Sequence, residues 1–383
     1  MRKAKIVKLK ENNMYIKGRG LPKGCKLCLK GQKTVLFISG ICQKPGHCYW
    51  YCPISTERRN NNLTYANEIQ ITSKKGLLEE VNNTNAKGMS VTGGEPLSEL
   101  NLEKTLDYIK YIKIQKGNKF HVHLYTNGIN VNNSIAGKLA LAGLDEIRFH
   151  PPIENWANIE FALNRGMAVG AEFPVIPNKE NIEELQNLII YLNSIGANFV
   201  NLNEFEFCFP NSESLKNRGY QLKKDSIASV VNSYEFAIDL MKDLIDIVSI
   251  KVHFCPIRSK DYYQLKYRYM RRAKNVKLPF EAITEEGLLM FAQIEGNKNA
   301  IEKFRNILLS EMNINMNLIL FNGKELRLPL YLSIDNQIVS LFEKFQLKGY
   351  IVEMTPFRQQ KYQQITEKTP IKLFKEEFGL NES

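Results

Sequence analysis

No apolar run in this 383-residue chain is long enough to cross a bilayer, so no membrane-spanning helix is expected. The opening stretch, MRKAKIVKLKENN, is basic but lacks the apolar core and small-residue cleavage site of a secretory signal. Both absences point to the cytoplasm, where the sequons NLT, NNT and NNS carry no meaning. Internal repeats and low-complexity tracts are also missing, which excludes solenoids and disordered arrays. Acidic charge is in the minority, with 40 Asp and Glu against 52 Lys and Arg, leaving a formal charge of +12. That balance suits an anionic partner such as RNA, or simply a lysine-rich surface. An even cysteine count is missing as well: seven cysteines cluster as Cys25/Cys28 and Cys42/Cys48/Cys52, with Cys208 and Cys255 apart. In a reducing compartment such clusters suggest metal ligands rather than disulfides.

What is present is ordinary for a globular enzyme, at 44% hydrophobic and 24% charged residues. Thr34–Ser39 reads as a buried strand, followed by a helix-like stretch from about Tyr65 to Val81. Further strands are expected in GMSVT, FHVHLYT, DEIRFH, AVGAEFPV, NFVNLNEFEF and IVSIKVHFC. Helical spacing lies between them, including NWANIEFALNRG and a long helix over about Asp225–Asp246. This alternation implies a parallel sheet with right-handed crossovers, an α/β partial, TIM-like barrel. From about Asn275 the rhythm changes, which predicts a small C-terminal α+β domain. The expected division is 1–33 for a lead segment with a CxxC, 34–274 for the barrel and 275–383 for the small domain.

The strand ends carry SGIC, TGGEP, TNG, FHPP, EFPVIP, NEFEF and HFCP. In a parallel barrel these ends open onto one face, where active sites are built. Within ICQKPGHCYWYCP, Cys42, Cys48 and Cys52 can hold three irons of a [4Fe–4S] cube and leave the fourth open to a small molecule. Pro45 and Gly46 supply bends. A zinc site completed by His47 is the alternative.

The cysteine loop after the first strand, TGGEP after the second and TNG after the third together resemble the radical S-adenosylmethionine (AdoMet) superfamily. The resemblance covers about Val35 to Cys255. CKLCLKGQKTVLF is similar to the CxxCxxGxKxVLF run of an archaeal-type branch related to pyruvate formate-lyase activating enzymes. The chain departs from the usual C-x3-C-x2-C, having C-x5-C-x3-C. The resemblance implies a [4Fe–4S] cluster on Cys42, Cys48 and Cys52, with AdoMet chelating its open iron. Gly93, Gly94 and Glu95 would bind the methionyl end, Tyr51 would pack near the adenine, and Thr126 and Asn127 would lie within reach. It further implies reductive cleavage of AdoMet to a 5′-deoxyadenosyl radical, and an electron donor of flavodoxin or ferredoxin type.

Cys25 and Cys28 precede the barrel, while His253 and Cys255 share one face of the seventh strand. If the lead segment packs against that strand, these four make a zinc site, or hold an auxiliary iron–sulfur cluster. Otherwise they are incidental or core thiols. Cys208, in the apolar EFEFCF, suits core packing. Glu172 and His150 are the leading catalytic candidates among the strand-end residues, with Asn203, Glu204 and Glu206 beside them. RSKDYYQLKYRYMRRAKNVK combines cations with aromatics, a composition suited to RNA or to a solvated helix. Three functions follow: an enzyme abstracting hydrogen from a substrate such as tRNA, an activase or modifier of a protein or peptide, or a non-catalytic nucleic-acid-binding metal module.

Overall fold

The structure, a computed structural model, describes residues 5–43 and 46–380. Pro45, expected to bend the cysteine loop, lies outside the described residues. The chain falls into two compact units, Met1–Asn82 with Ala86–Leu265, and Asn83–Asn85 with Lys266–Ser383. The boundary expected at 274 therefore falls inside a helix, Lys266–Val276.

Seven parallel strands form the first unit: β1 (Lys33–Phe37), β2 (Gly88–Thr92), β3 (His121–Thr126), β4 (Glu146–Phe149), β5 (Ala168–Val175), β6 (Phe199–Glu204) and β7 (Lys251–Cys255). They lie side by side in chain order. Side chains alternate along each strand. One set is apolar and fully buried, as with Met89 and Val91, Val122 and Leu124, Val200 and Leu202, and Val252 and Phe254. The other set is polar: His121 and His123, Glu146 and Arg148, Glu172, Asn201 and Asn203, then His253 and Cys255. The expected partial barrel is present, and one face of its sheet is lined by hydrogen-bonding groups.

Antiparallel hairpins cover both edges of this eleven-stranded sheet. Ile6–Lys8 and Met14–Ile16 form one, and Met14–Ile16 pairs with β7, placing Tyr15 opposite His253. The lead segment thus packs against the seventh strand. Thr64–Ala66 and Ile69–Ile71 form the other hairpin, against β1. The helix expected over Tyr65–Val81 is accordingly corrected, since only Lys74–Asn83 is α-helical. Asn67 turns the hairpin with φ +53°, accepts a 2.9 Å bond from Val35 N and donates one of 2.7 Å to Glu80. Its amide offers the chain a turn where apolar spacing alone suggests a helix.

Two further helices differ from expectation. NWANIEFALNRG forms 3₁₀ turns over Ile153–Ala162, entered from Pro152, with Asn155 N bonded to Pro152 O at 2.9 Å. The long helix is Ser233–Leu244 only, because Asp225 and Asn232 take φ of +62° and +67°. The segment before it is free to run as a loop behind the site.

The second unit is a six-stranded antiparallel sheet in the order Leu320–Phe321, Glu325–Leu328, Leu289–Glu295, Lys348–Met354, Ile365–Pro370, with Ala282–Ile283 beside Leu289–Glu295. Ile301, Phe304 and Leu308 of the helix Lys298–Ser310 pack with Leu326, Leu328 and Ile294 of the sheet. This is an α+β unit.

Candidate active site

The loop after β1 begins at Gly40, where a side chain is impossible: a Cβ would lie 1.7 Å from Arg58 O. The aromatic residues among the cysteines then pin the loop. Trp50 stacks on Tyr220 with centroids 6.0 Å apart and meets Phe205 edge-on at 5.9 Å. Asn211 donates to Tyr51 O at 3.0 Å, and Arg59 to Cys52 O at 2.9 Å. These contacts fix the backbone on either side of Cys48 and Cys52 through side chains other than thiols.

The three loop thiols border one cavity of about 320 Å³ at the carboxyl ends of the strands. Thr92, Gly93 and Gly94 form one wall, and Glu172, Asn203, Glu206 and Lys260 another. Cys42 is exposed, whereas Cys48 and Cys52 are half-buried. Burial pushes the Cys42 thiol up to about 11 and Cys48 to about 12, with neighbouring Glu95 and Cys52 adding to it. Among the described residues no three His, Cys, Asp or Glu side chains are drawn into metal-ligand geometry.

TGGEP meets this loop at van der Waals distance. A Cβ on Gly94 would lie 2.3 Å from Ile41 O and 2.9 Å from Cys42 Sγ, so glycine is required for the approach. Gly94 N donates to Ser39 O at 2.6 Å and Glu95 N to Ile41 O at 2.9 Å. The Glu95 carboxylate is buried and joins two strand ends. It accepts from Leu97 N at 2.8 Å, from the Thr126 hydroxyl at 2.7 Å and from Asn127 N at 2.7 Å. Asn127 Oδ1 in turn accepts from Gln43 of the cysteine loop at 3.0 Å. The three expected motifs are therefore one hydrogen-bonded assembly.

Tyr51 faces the cavity and its hydroxyl meets His150 Nε2 at 2.6 Å. His150 Nδ1 lies 2.8 Å from Glu172 O. A carbonyl only accepts, so the ring carries its proton on Nδ1, and Nε2 accepts a hydrogen bond from the tyrosine hydroxyl. Desolvation pushes the imidazole down to about 4, which keeps it neutral. Its ring also stacks on Phe173 at 4.1 Å.

Glu172 is fully engaged. Its Oε2 accepts from Arg148 at 2.7 Å and Asn201 at 3.0 Å, and its Oε1 from Asn203 at 2.9 Å. Burial alone would raise this carboxyl, but Arg148 and the two amides outweigh it and hold it below the usual range. Arg148, only 3% exposed, also bridges Glu146 and donates to Tyr125 OH at 3.1 Å. Sequence reading misses Arg148, Asn201 and the Lys260–Glu206 pair at 3.1 Å. The signal was available in EIRFH, where Glu146, Arg148 and His150 alternate onto one face of a strand.

Cys25 and His253, expected among the ligands of a second metal, both hydrogen-bond with side chains on the polar face of the sheet. The helix Lys23–Cys28 packs against the polar face of the sheet, with Gly24 N donating to Glu146 Oε2 at 3.0 Å. Cys25 Sγ lies 3.4 Å from the Arg148 guanidinium and 3.4 Å from Asn201 Oδ1. Both nitrogens of His253 are taken, by Asn201 at 3.2 Å and Asn13 at 3.0 Å. Cys28 is half-buried and Cys255 buried, and burial raises both thiols. Cys208 corrects its expected core placement: β6 ends at Glu204, and Cys208 lies in a loop, half-exposed, its N–H bonded to Asn211 at 2.8 Å.

A family described as a 4Fe–4S single cluster domain matches residues 30–140. That segment contains Cys42, Cys48 and Cys52 and no other cysteine. A protein of Methanocaldococcus jannaschii named as a glycyl-radical enzyme activating enzyme is 38% identical over 301 residues, covering 75% of this chain and 77% of the relative. The chain belongs to the radical AdoMet superfamily. It is an enzyme whose cofactors are a [4Fe–4S] cluster and AdoMet. Among solved structures it is similar to Streptococcus suis SuiB bound to S-adenosylmethionine, at 13% identity and a TM-score of 0.40 over 67% of this chain. A Kitasatospora setae radical methyltransferase, TsrM, is similar at 12% identity and a TM-score of 0.35 over 52%. The chain spans 59% of the SuiB chain and 42% of the TsrM chain. No helix among the described residues of this radical AdoMet enzyme is long and apolar enough to cross a membrane.

Proposed function

We propose that this radical AdoMet enzyme activates a partner protein by removing a hydrogen atom from one of its residues, the partner being a glycyl-radical enzyme. One observation carries the choice of substrate: the 38% identity, over three quarters of both chains, to a relative named for that activity. The other expected substrate, RNA, drew on the net charge, the appended domain and the basic run Arg258–Lys277. Arg272 in that run is 2% exposed, lies 4.3 Å over Phe357 and donates to Pro356 O, so it is part of a core rather than a phosphate-binding stripe.

In this reading Cys42, Cys48 and Cys52 hold the cluster, since the matched cluster segment offers no other thiols. Three thiolates leave one iron for AdoMet. Gly93 and Gly94 give the methionyl end close access to backbone, and Glu95 holds TGGEP against TNG. When bound, the reduced cluster and AdoMet together supply the 5′-deoxyadenosyl radical. The chain's own side chains orient and enclose. Tyr51 is held by His150, which makes His150 a positioning residue. Glu172, ionised and clamped by Arg148, Asn201 and Asn203, gives the cavity a fixed polar wall.

The test is anaerobic reconstitution with iron, sulfide and reductant, followed by addition of a purified glycyl-radical enzyme. The expected results are 5′-deoxyadenosine by mass spectrometry and a protein-based radical by electron paramagnetic resonance. Cleavage without a radical on that partner, under conditions where a tRNA is modified instead, would overturn the choice of substrate.

A further inference from the structure

Between β6 and Ser233–Leu244 the chain passes behind the cysteine loop. Trp50 stacks there on Tyr220, Arg218 lies over Trp50 at 4.8 Å, and Asn211 holds Tyr51 O. Cys208 N donates to Asn211 Oδ1 at 2.8 Å, so the same asparagine links Cys208 to Tyr51, the residue before Cys52. The outer side of this segment is a groove of about 460 Å³ whose lining includes Phe207, Cys208, Phe209, Leu222 and Ile227. Phe209 is 88% exposed and Ile227 89%. Single exposed apolar residues are commonplace, but a rim of large ones around a groove marks an interaction surface.

Two observations select the occupant. The residues lining the groove and those lining the cavity have none in common, so a partner seated here touches the back of the cysteine loop without entering the cavity. A substrate must enter; a reductant need only come near. Lys216 lines the groove and is exposed, as are Arg218 and Lys224 on the same stretch of chain, against the carboxylates of Glu213 and Asp225. On a chain of formal charge +12 this surface is complementary to an acidic protein.

We propose that this groove docks the cluster's reductant, an acidic one-electron carrier protein that covers Phe209 and Ile227 with an apolar patch and meets the flanking cations with carboxylates. The electron enters from the side where Tyr220 stacks on Trp50 and Asn211 links Cys208 to Tyr51. The carrier is oxidised by one electron, the cluster is reduced by one, and no bond is made or broken. The proposal rests on Cys52 being a cluster ligand, as set out above.

Two double variants test it, Phe209→Ser with Ile227→Ser, and Lys216→Glu with Lys224→Glu. All four residues are on the surface, and none belongs to the cavity wall or the cysteine loop. Iron content and visible absorbance are measured first; a parent without a cluster would sink the underlying assignment and the docking proposal together. Anaerobic stopped-flow then follows bleaching of the cluster by dithionite and by photoreduced flavodoxin, with ferredoxin as a second carrier. Calorimetry follows flavodoxin binding to the cluster-free chain.

In both variants the bimolecular rate with carrier should fall about tenfold or more, and the parent's steep salt dependence should flatten in the lysine variant. Dithionite bleaching should be unchanged, and calorimetric binding should weaken in parallel. Parental rates with carrier in both variants would overturn the proposal. So would a parent that accepts electrons from dithionite but from neither carrier. Loss of dithionite-driven activation of the partner protein, with carrier rates intact, would reassign the groove to the substrate.

Discussion

Tyr51 and His150, 99 positions apart, meet in a 2.6 Å hydrogen bond that ties the cysteine loop to the end of β4. With Nδ1 bonded to the Glu172 carbonyl, the histidine has one orientation and one tautomer. Tyr51→Phe leaves Nε2 without its donor, a loss of about 1–3 kcal/mol. The expected outcome is weaker AdoMet binding by calorimetry on the reconstituted enzyme, with cluster absorbance unchanged. Equal binding would show that the hydroxyl has no part in shaping the site.

Cys42→Ala, Cys48→Ala and Cys52→Ala should each lose the cluster's visible absorbance and all AdoMet cleavage. Cys208→Ala should keep both, because Cys208 lies outside the matched cluster segment and its N–H, not its thiol, makes the loop contact. Iron analysis beside the absorbance checks the set, and cleavage persisting in any of the first three would sink the ligand assignment.

Arg148→Met should be among the most damaging single substitutions. It leaves the carboxylates of Glu146 and Glu172, 1% and 16% exposed at the side chain, without their cation. Breaking a buried pair in this way costs roughly 3–5 kcal/mol. Arg148→Lys should rescue little, because one ammonium cannot span Glu146, Glu172 and Tyr125 as the guanidinium fork does. Urea denaturation of the cluster-free chain measures both.

Lys33 is 5% exposed, and burial pushes its ammonium down to about 7 from 10.5. Its folded value lies below its unfolded one, so between these limits the unfolded chain binds more protons. Stability should therefore rise with pH from about 7 towards 10.5, each unit of the displacement corresponding to about 1.4 kcal/mol. Lys33→Met should flatten that rise in urea titrations across this range. A slope unchanged by the substitution would place the titrating group elsewhere.

Much of the site was legible because its residues sit where a local pattern meets a general rule. Cysteines, glycines and Thr126–Asn127 fall at strand ends, and parallel strands expose those ends together. The hairpin at Asn67 was not legible from apolar spacing, since short alternating strands and a helix share residues such as Ile69, Ile71 and Leu77. Arg148 looked like any charged residue until the alternation along β4 was seen to face a polar sheet surface. Cys208 sat in an apolar run that resembles a strand, yet the strand stops at Glu204. Glu95 was expected at the cofactor. Its carboxylate contacts with Thr126 and Asn127 come from a different strand end, which no spacing within TGGEP reveals.

Pairing Met14–Ile16 with β7 has a consequence for the order in which the molecule is made. Asn13 and His253, hydrogen-bonded in the finished structure, are 240 positions apart, so a strand made before β1 waits for the last strand of its sheet. Until β7 emerges, β6 presents a bare edge and the polar face carrying Arg148 and Glu172 is open to water. Closing so long a loop is slow compared with forming the local βα units. Early in its life the enzyme should therefore pass through a stage in which its cysteine loop is complete while its sheet is not, and when metal is delivered becomes a question of biosynthetic timing.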